Sequence, residues 1–128
     1  MTNKEIYKGA LALIAEPVEY GAADYAERAP YIIANFISEH AALDNHYRRT
    51  HGEKEQTVDC PVYASLDDDF PLSARFVPAA EQYLASMLIA DEDMERSDAC
   101  FDRFCKAMTV ILSEIPAVVE QITSVYDM

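Results

Sequence analysis

The stretch that most limits what this chain can become is Pro71–Ala90, PLSARFVPAAEQYLASMLIA, its most continuously apolar segment. Phe76, Val77, Ala80, Tyr83, Leu84, Met87 and Leu88 fall at the i, i+3, i+4, i+7 spacing of one helix face. Ala79, Ala85 and Ile89 carry the apolar character further around the circumference. A helix apolar on most sides must be covered from several directions. The reading is therefore an all-α fold, four to five amphipathic helices around a central buried helix at about 72–90. Pro78 is tolerated there only in or near the first turn.

The rest of the chain supplies the covering helices. Thr2 and Glu5 form a capping box that opens a first helix, with Ile6, Ala10, Leu13 and Ile14 as its stripe, ending near Glu16 before Pro17. Asp24 and Glu27 repeat the start signal, and Ile33, Phe36, Ile37, His40, Leu43 and Tyr47 mark a second helix. Pro30 leaves two arrangements open: a short turn followed by a kink, or a helix starting near Pro30 itself. The acids from Asp91 to Asp98 place a helix boundary between Asp91 and Ser97, because they favour the positive end of the following helix. Phe101, Phe104, Cys105, Met108, Ile111, Leu112 and Ile115 then make a fourth stripe. Val118, Val119, Ile122, Val125 and Tyr126 follow Pro116, either as a kinked continuation or as a fifth helix.

Helical periodicity stops between Arg48 and Asp69. Val58, Cys60, Val62, Ala64 and Leu66 alternate with Thr57, Asp59, Pro61, Tyr63 and Ser65, the period of an extended segment with one apolar face. Pro61 restricts it to an edge strand or an extended arm between helices 2 and 3. An isolated strand is unstable in water, so the arm is expected to seek a neighbouring subunit. Arg48, Arg49, Lys54, Val58, Val62, Tyr63 and Leu66 are the candidate subunit contacts. For the basic group Arg48, Arg49 and Lys54, favourable placement at a helix C-terminus is an equally physical reading.

Charge and side-chain chemistry narrow the function. A chain of 128 residues is read as a single domain, 1–128. Its formal charge is −13, with fourteen acids against four bases from residue 59 onward, which argues against nucleic-acid binding. Three cysteines without a CxxC pair indicate neither a disulfide framework nor a zinc site, and Cys60, Cys100 and Cys105 read as packing residues. His40 and Asp44 share a helix face and are expected to hydrogen-bond to each other rather than bind metal. Asp67, Asp68 and Asp69 lack the glycine and distal glutamate of a calcium loop; Asp69 could serve the start of the next helix. No catalytic residue, cofactor or membrane segment is indicated, and a cytoplasmic site of synthesis is expected.

ERAPYIIANFISEHAALDNHYR, then an arm, then DDDFPLSARFVPAAEQYLASMLIADED and a further amphipathic segment, resembles the small helical head-tail connector, or head-completion, proteins of tailed phages and prophages. The resemblance spans about Asp24 to Tyr126 and rests on helix order, the proline-led apolar helix and the long arm. It implies a non-enzymatic structural subunit, a homo-oligomeric ring, contacts with portal or tail-completion proteins, and a place in the virion. The alternative expectation is an acidic helical module that binds a basic protein.

Overall fold

The computed structural model describes residues 1–15 and 23–115. Four α-helices are present among them: α1 (Asn3–Leu13), α2 (Ala23–Thr50), α3 (Val77–Ile89) and α4 (Met94–Ser113), with a single 3-10 turn at Ala74–Phe76. The described chain is all-helical and contains no strand; its only β pairing is an isolated antiparallel bridge between Thr2 and Asp69. Pro17, expected to stop α1, and the segment after Pro116 lie outside the described residues.

α1 opens on the capping box, with the Thr2 hydroxyl accepting from the Glu5 amide and the Glu5 carboxylate accepting from that of Thr2. It ends at Leu13 rather than near Glu16, because Ala15 takes a left-handed backbone, φ 56°, that no helix can continue. α2 overturns one of the two arrangements expected at Pro30: the helix does not start near the proline but at Ala23, and it continues through Pro30. The carbonyl that Pro30 cannot serve belongs to Ala26, an exposed residue that water can reach.

α3 starts at Val77, later than the periodicity of 72–90 predicts. Pro78 has no amide to donate to Ala74, so the chain enters through the 3-10 turn, closed by Val77 N–H to the Ala74 carbonyl. Leu72 and Phe76 are core residues all the same, buried outside the α-helix proper. α3 packs against α1, α2 and α4, and nine of its residues are buried. Two polar devices hold it there. Arg28 of α2 donates to the Met87 (2.9 Å) and Leu88 (3.4 Å) carbonyls, groups that a helix end otherwise leaves unpaired. Ser86 and Ser97 exchange bonds across the α3–α4 seam: each hydroxyl donates to the other residue's carbonyl, at 3.0 and 2.9 Å.

α4 departs from its expected stripe. Ser97, Cys100, Ile111 and the following Ile115 are buried, and Phe104, Ala107 and Met108 are half-buried. Phe101, Cys105 and Leu112 are exposed. At about 100° per residue the exposed set lies roughly 90° from the buried one, too far round for a single contact with α3 to cover both. Packing therefore describes Cys100 alone; Cys60 and Cys105 both face solvent.

Candidate functional site

The segment between α2 and α3 is not free to reach a neighbour along its length, because its own chain holds it. It runs back along α2. The Asn45 side chain both donates to the Gln56 carbonyl and accepts from the Gln56 amide, each at 2.9 Å. Farther on, the Ser38 hydroxyl donates to the Pro61 carbonyl (3.4 Å) and the Ala64 amide to the Pro30 carbonyl (3.0 Å). The segment then crosses the start of α1. The Asn3 and Lys4 amides, unpaired within their own helix, donate to the Asp68 and Leu66 carbonyls at 2.9 Å. Asp67–Asp69 thus lie at the positive end of α1, not at the start of α3.

This anchoring explains why the strict alternation fails. Most bonds to the segment come from helix side chains and a helix end, so no neighbouring strand enforces a pleat. Ala64 is buried, and Val58 and Leu66 are half-buried against the core, whereas Cys60 is exposed and Val62 is 81 % exposed. Val58 and Leu66 are consequently internal packing residues, while Val62 and Tyr63 present themselves outward.

The far end of the segment is fixed by a fully buried carboxylate. Asp44 accepts from the Ser73 amide (2.9 Å), the Ser73 hydroxyl (2.5 Å) and Arg48 Nε (2.8 Å). The His40–Asp44 bond expected from spacing is absent: His40 Nδ1 pairs instead with the Phe36 carbonyl at 2.8 Å, and its ring stacks on Phe36 at 4.2 Å. The knot was half visible in the sequence, as the i, i+4 spacing of Asp44 and Arg48; Ser73 carries no such local signal. Arg49 pairs with Glu55 at 2.7 Å, a bond that holds the Glu55 carboxyl below its usual range. Of the basic group, Lys54 borders an open groove of about 710 Å³ with Arg48, Glu53 and Glu55. Among the described residues, no three His, Cys, Asp or Glu are grouped to hold a metal ion, and no helix is long and apolar enough to cross a membrane.

What remains conspicuous is apolar surface in two places. Tyr31 and Tyr63, each 54 % exposed, meet edge to face at 5.1 Å beside Val62. On α4, Met94, Phe101, Cys105 and Leu112 are exposed and Met108 half-buried, aligned along one side of the helix for about 27 Å. The two surfaces lie on opposite flanks of α2. Tyr31, Ser38 and Asn45 point toward the arm, whereas Phe36 and His40, which meet Phe104 of α4 at 6.2 and 5.9 Å, project about half a turn away. The α4 line could not be found by periodicity, which merges it with the buried stripe beside it. Compared with protein-family models, curated proteins and solved structures, the chain finds no match.

Proposed function

We propose that this chain is a non-enzymatic assembly subunit of the phage head-tail connector kind, which forms a homo-oligomeric ring and contacts a portal or tail-completion protein. The observation that carries the reading is the pair of exposed apolar surfaces on opposite flanks of α2, Tyr31–Val62–Tyr63 and the outer line of α4. A subunit that touches both a copy of itself and a different protein needs two distinct surfaces, and contiguous exposed apolar groups are the usual mark of such contacts. In this reading the docked arm contributes its outer residues Val62 and Tyr63, with Lys54 beside the groove, and the inward Val58 and Leu66 hold it in shape. The protein is made in the cytoplasm and ends in the virion. Its net charge of −13 suits a channel through which DNA must slide without being gripped.

The test is assembly. Wild type and a Val62→Ser, Tyr63→Glu variant are mixed with a phage portal and followed by native mass spectrometry and electron microscopy. Wild type is expected to form rings or join the portal, and the variant, its thermal melt unchanged, to stay out. A variant that assembles as wild type does would end the arm-side part of the reading. The second reading, an acidic module for a basic protein, is favoured by the exposed acids from Asp91 to Asp102, and predicts a stable complex with that protein and no ring.

A further inference from the structure

The outer line of α4 differs from an ordinary exposed residue or two in its order. The exposed Met94, Phe101, Cys105 and Leu112 are spaced seven, four and seven residues apart, intervals by which one helix presents a seam to another. Along one side of that seam, turned about 40–100° further from the core, stand the exposed acids Glu95, Asp98 and Asp102, with Lys106 the one base among them. Lys106 is itself held by Asp102 at 3.0 Å. The two arginines of the N-terminal half, Arg96 and Arg103, project to the opposite side, where they border a small cleft with Leu13 of α1 and the following Ile14.

Charge decides what can cover such a seam. A second copy that docked through its own α4 would bring the same acidic flank, and any copy carries a formal charge of −13. The chain's own residues 116–128 contain Glu120 and Asp127 and no base, and residues 16–22 contain Glu16 and Glu19 and no base. Each of these would set acid against acid. An apolar seam with an acidic border is instead complementary to an amphipathic helix whose apolar face is flanked by Lys or Arg. We infer that the outer line of α4, from Met94 to Leu112, is a docking seam for a basic amphipathic helix of another protein, with Phe101 and Leu112 as its apolar anchors and Glu95, Asp98 and Asp102 as its ionic border. The inference deepens the assembly reading and rests on it for the setting, since it gives the chemistry of one neighbour.

The probe is a fluorescein-labelled peptide of Leu and Lys, about 18 residues long to match the seam, titrated by fluorescence anisotropy, with a Leu/Glu peptide of the same pattern beside it. Wild type is expected to bind the Leu/Lys peptide in a salt-sensitive way and to ignore the Leu/Glu one. The deciding variant is Phe101→Glu with Leu112→Glu, which adds two negative charges. Bare electrostatic attraction would make it bind the cationic peptide more tightly; docking on the seam makes it bind about tenfold more weakly, the loss typical of removed anchors. Should that variant melt early, Phe101→Ser replaces it and must also weaken binding. Asp98→Asn with Asp102→Asn is expected to weaken binding at low salt only. Equal or tighter binding by the glutamate variant overturns the inference. So does equal binding of the Leu/Glu peptide, a wild-type dimer lost on Phe101→Ser, or peptide binding that appears only after truncation at Ile115. A portal assay that fails while these results hold removes the connector reading and leaves the seam.

Discussion

α3 and α4 pack against each other, yet one is enclosed and the other half-dressed. α3 meets three helices, so its residues are buried around most of the circumference: Ala79, Ala85 and Leu88 are all at or near zero exposure. α4 packs chiefly on α3, with Phe104 reaching α2. Of the residues α4 offers, Cys100 and Ile111 are fully covered, while Met94 is 62 % and Leu112 44 % exposed. The same residue type therefore carries different meaning on the two helices. A leucine on α3 stabilises the fold; on the outer line of α4 it is available for something else.

The largest expected effect tests that difference directly. Leu84, 1 % exposed at the middle of α3, should cost roughly 2–5 kcal/mol when cut to alanine, through lost burial and the cavity left behind. Leu112→Ala should cost within about 0.5 kcal/mol, as for other exposed positions. Denaturant unfolding of both variants measures this, and equal losses would erase the distinction between the helices. A smaller effect is expected at the seam they share. Ser97→Ala removes the hydroxyl that donates to the Ser86 carbonyl across the seam, a loss of about 0.5–1.5 kcal/mol. A neutral result there would mean that shape, not the paired hydroxyls, brings the two helices together.

How much of this was legible in the sequence follows from range. Thr2 and Glu5 are three residues apart, and their cap is written locally; so is the stripe of α2, because burial repeats with the helix period, whereas Leu13 of the α1 stripe and Phe101, Cys105 and Leu112 of the α4 stripe are exposed. Pro78 marked its own place in a first turn. The alternating face expected of the arm fails because its partners are remote: Asn45 and Gln56, Ser38 and Pro61, Asn3 and Ser65 are brought together by the fold, and no period encodes them. Asp44 reached for the wrong partner for a similar reason. His40 was the near candidate, but Ser73, twenty-nine positions away, supplies two donors. The candidate contact residues divided along the same line, with Val58 and Leu66 turned inward by contacts that only the folded chain makes.

The smallest expected effect, and the one that separates the two helices by sign, concerns a carboxylate on each. Glu81 of α3 lies against Gly9 of α1, so closely that a Cβ on that glycine would collide with the carboxyl group. Burial raises its pKa above the usual 4.5. Glu114, which closes α4, is held by Arg75 through Nε to Oε2 at 3.0 Å and a terminal nitrogen to Oε1 at 2.8 Å, and this hydrogen bonding lowers its pKa. For Glu81 the folded state keeps its proton longer than the unfolded one. Stability therefore falls as pH rises from about 4.5 through the raised value, and the penalty is complete above it. For Glu114 the order is reversed: its contribution is present above the unfolded value and is lost as pH falls through the lowered one. Glu81→Gln should accordingly raise Tm at pH 7, with the gain vanishing toward pH 4, and Glu114→Gln should lower Tm at pH 7, with the loss shrinking below pH 4. Both shifts should be small, since Glu81 is half-exposed and the Arg75–Glu114 pair is about a third exposed and screened by solvent. Melting curves of the three proteins at pH 4, 5.5 and 7 decide it. If the Glu81→Gln curve ran parallel to wild type at every pH, the close cover of α3 by α1 would carry no electrostatic cost, and enclosure would cease to distinguish the two helices in this respect.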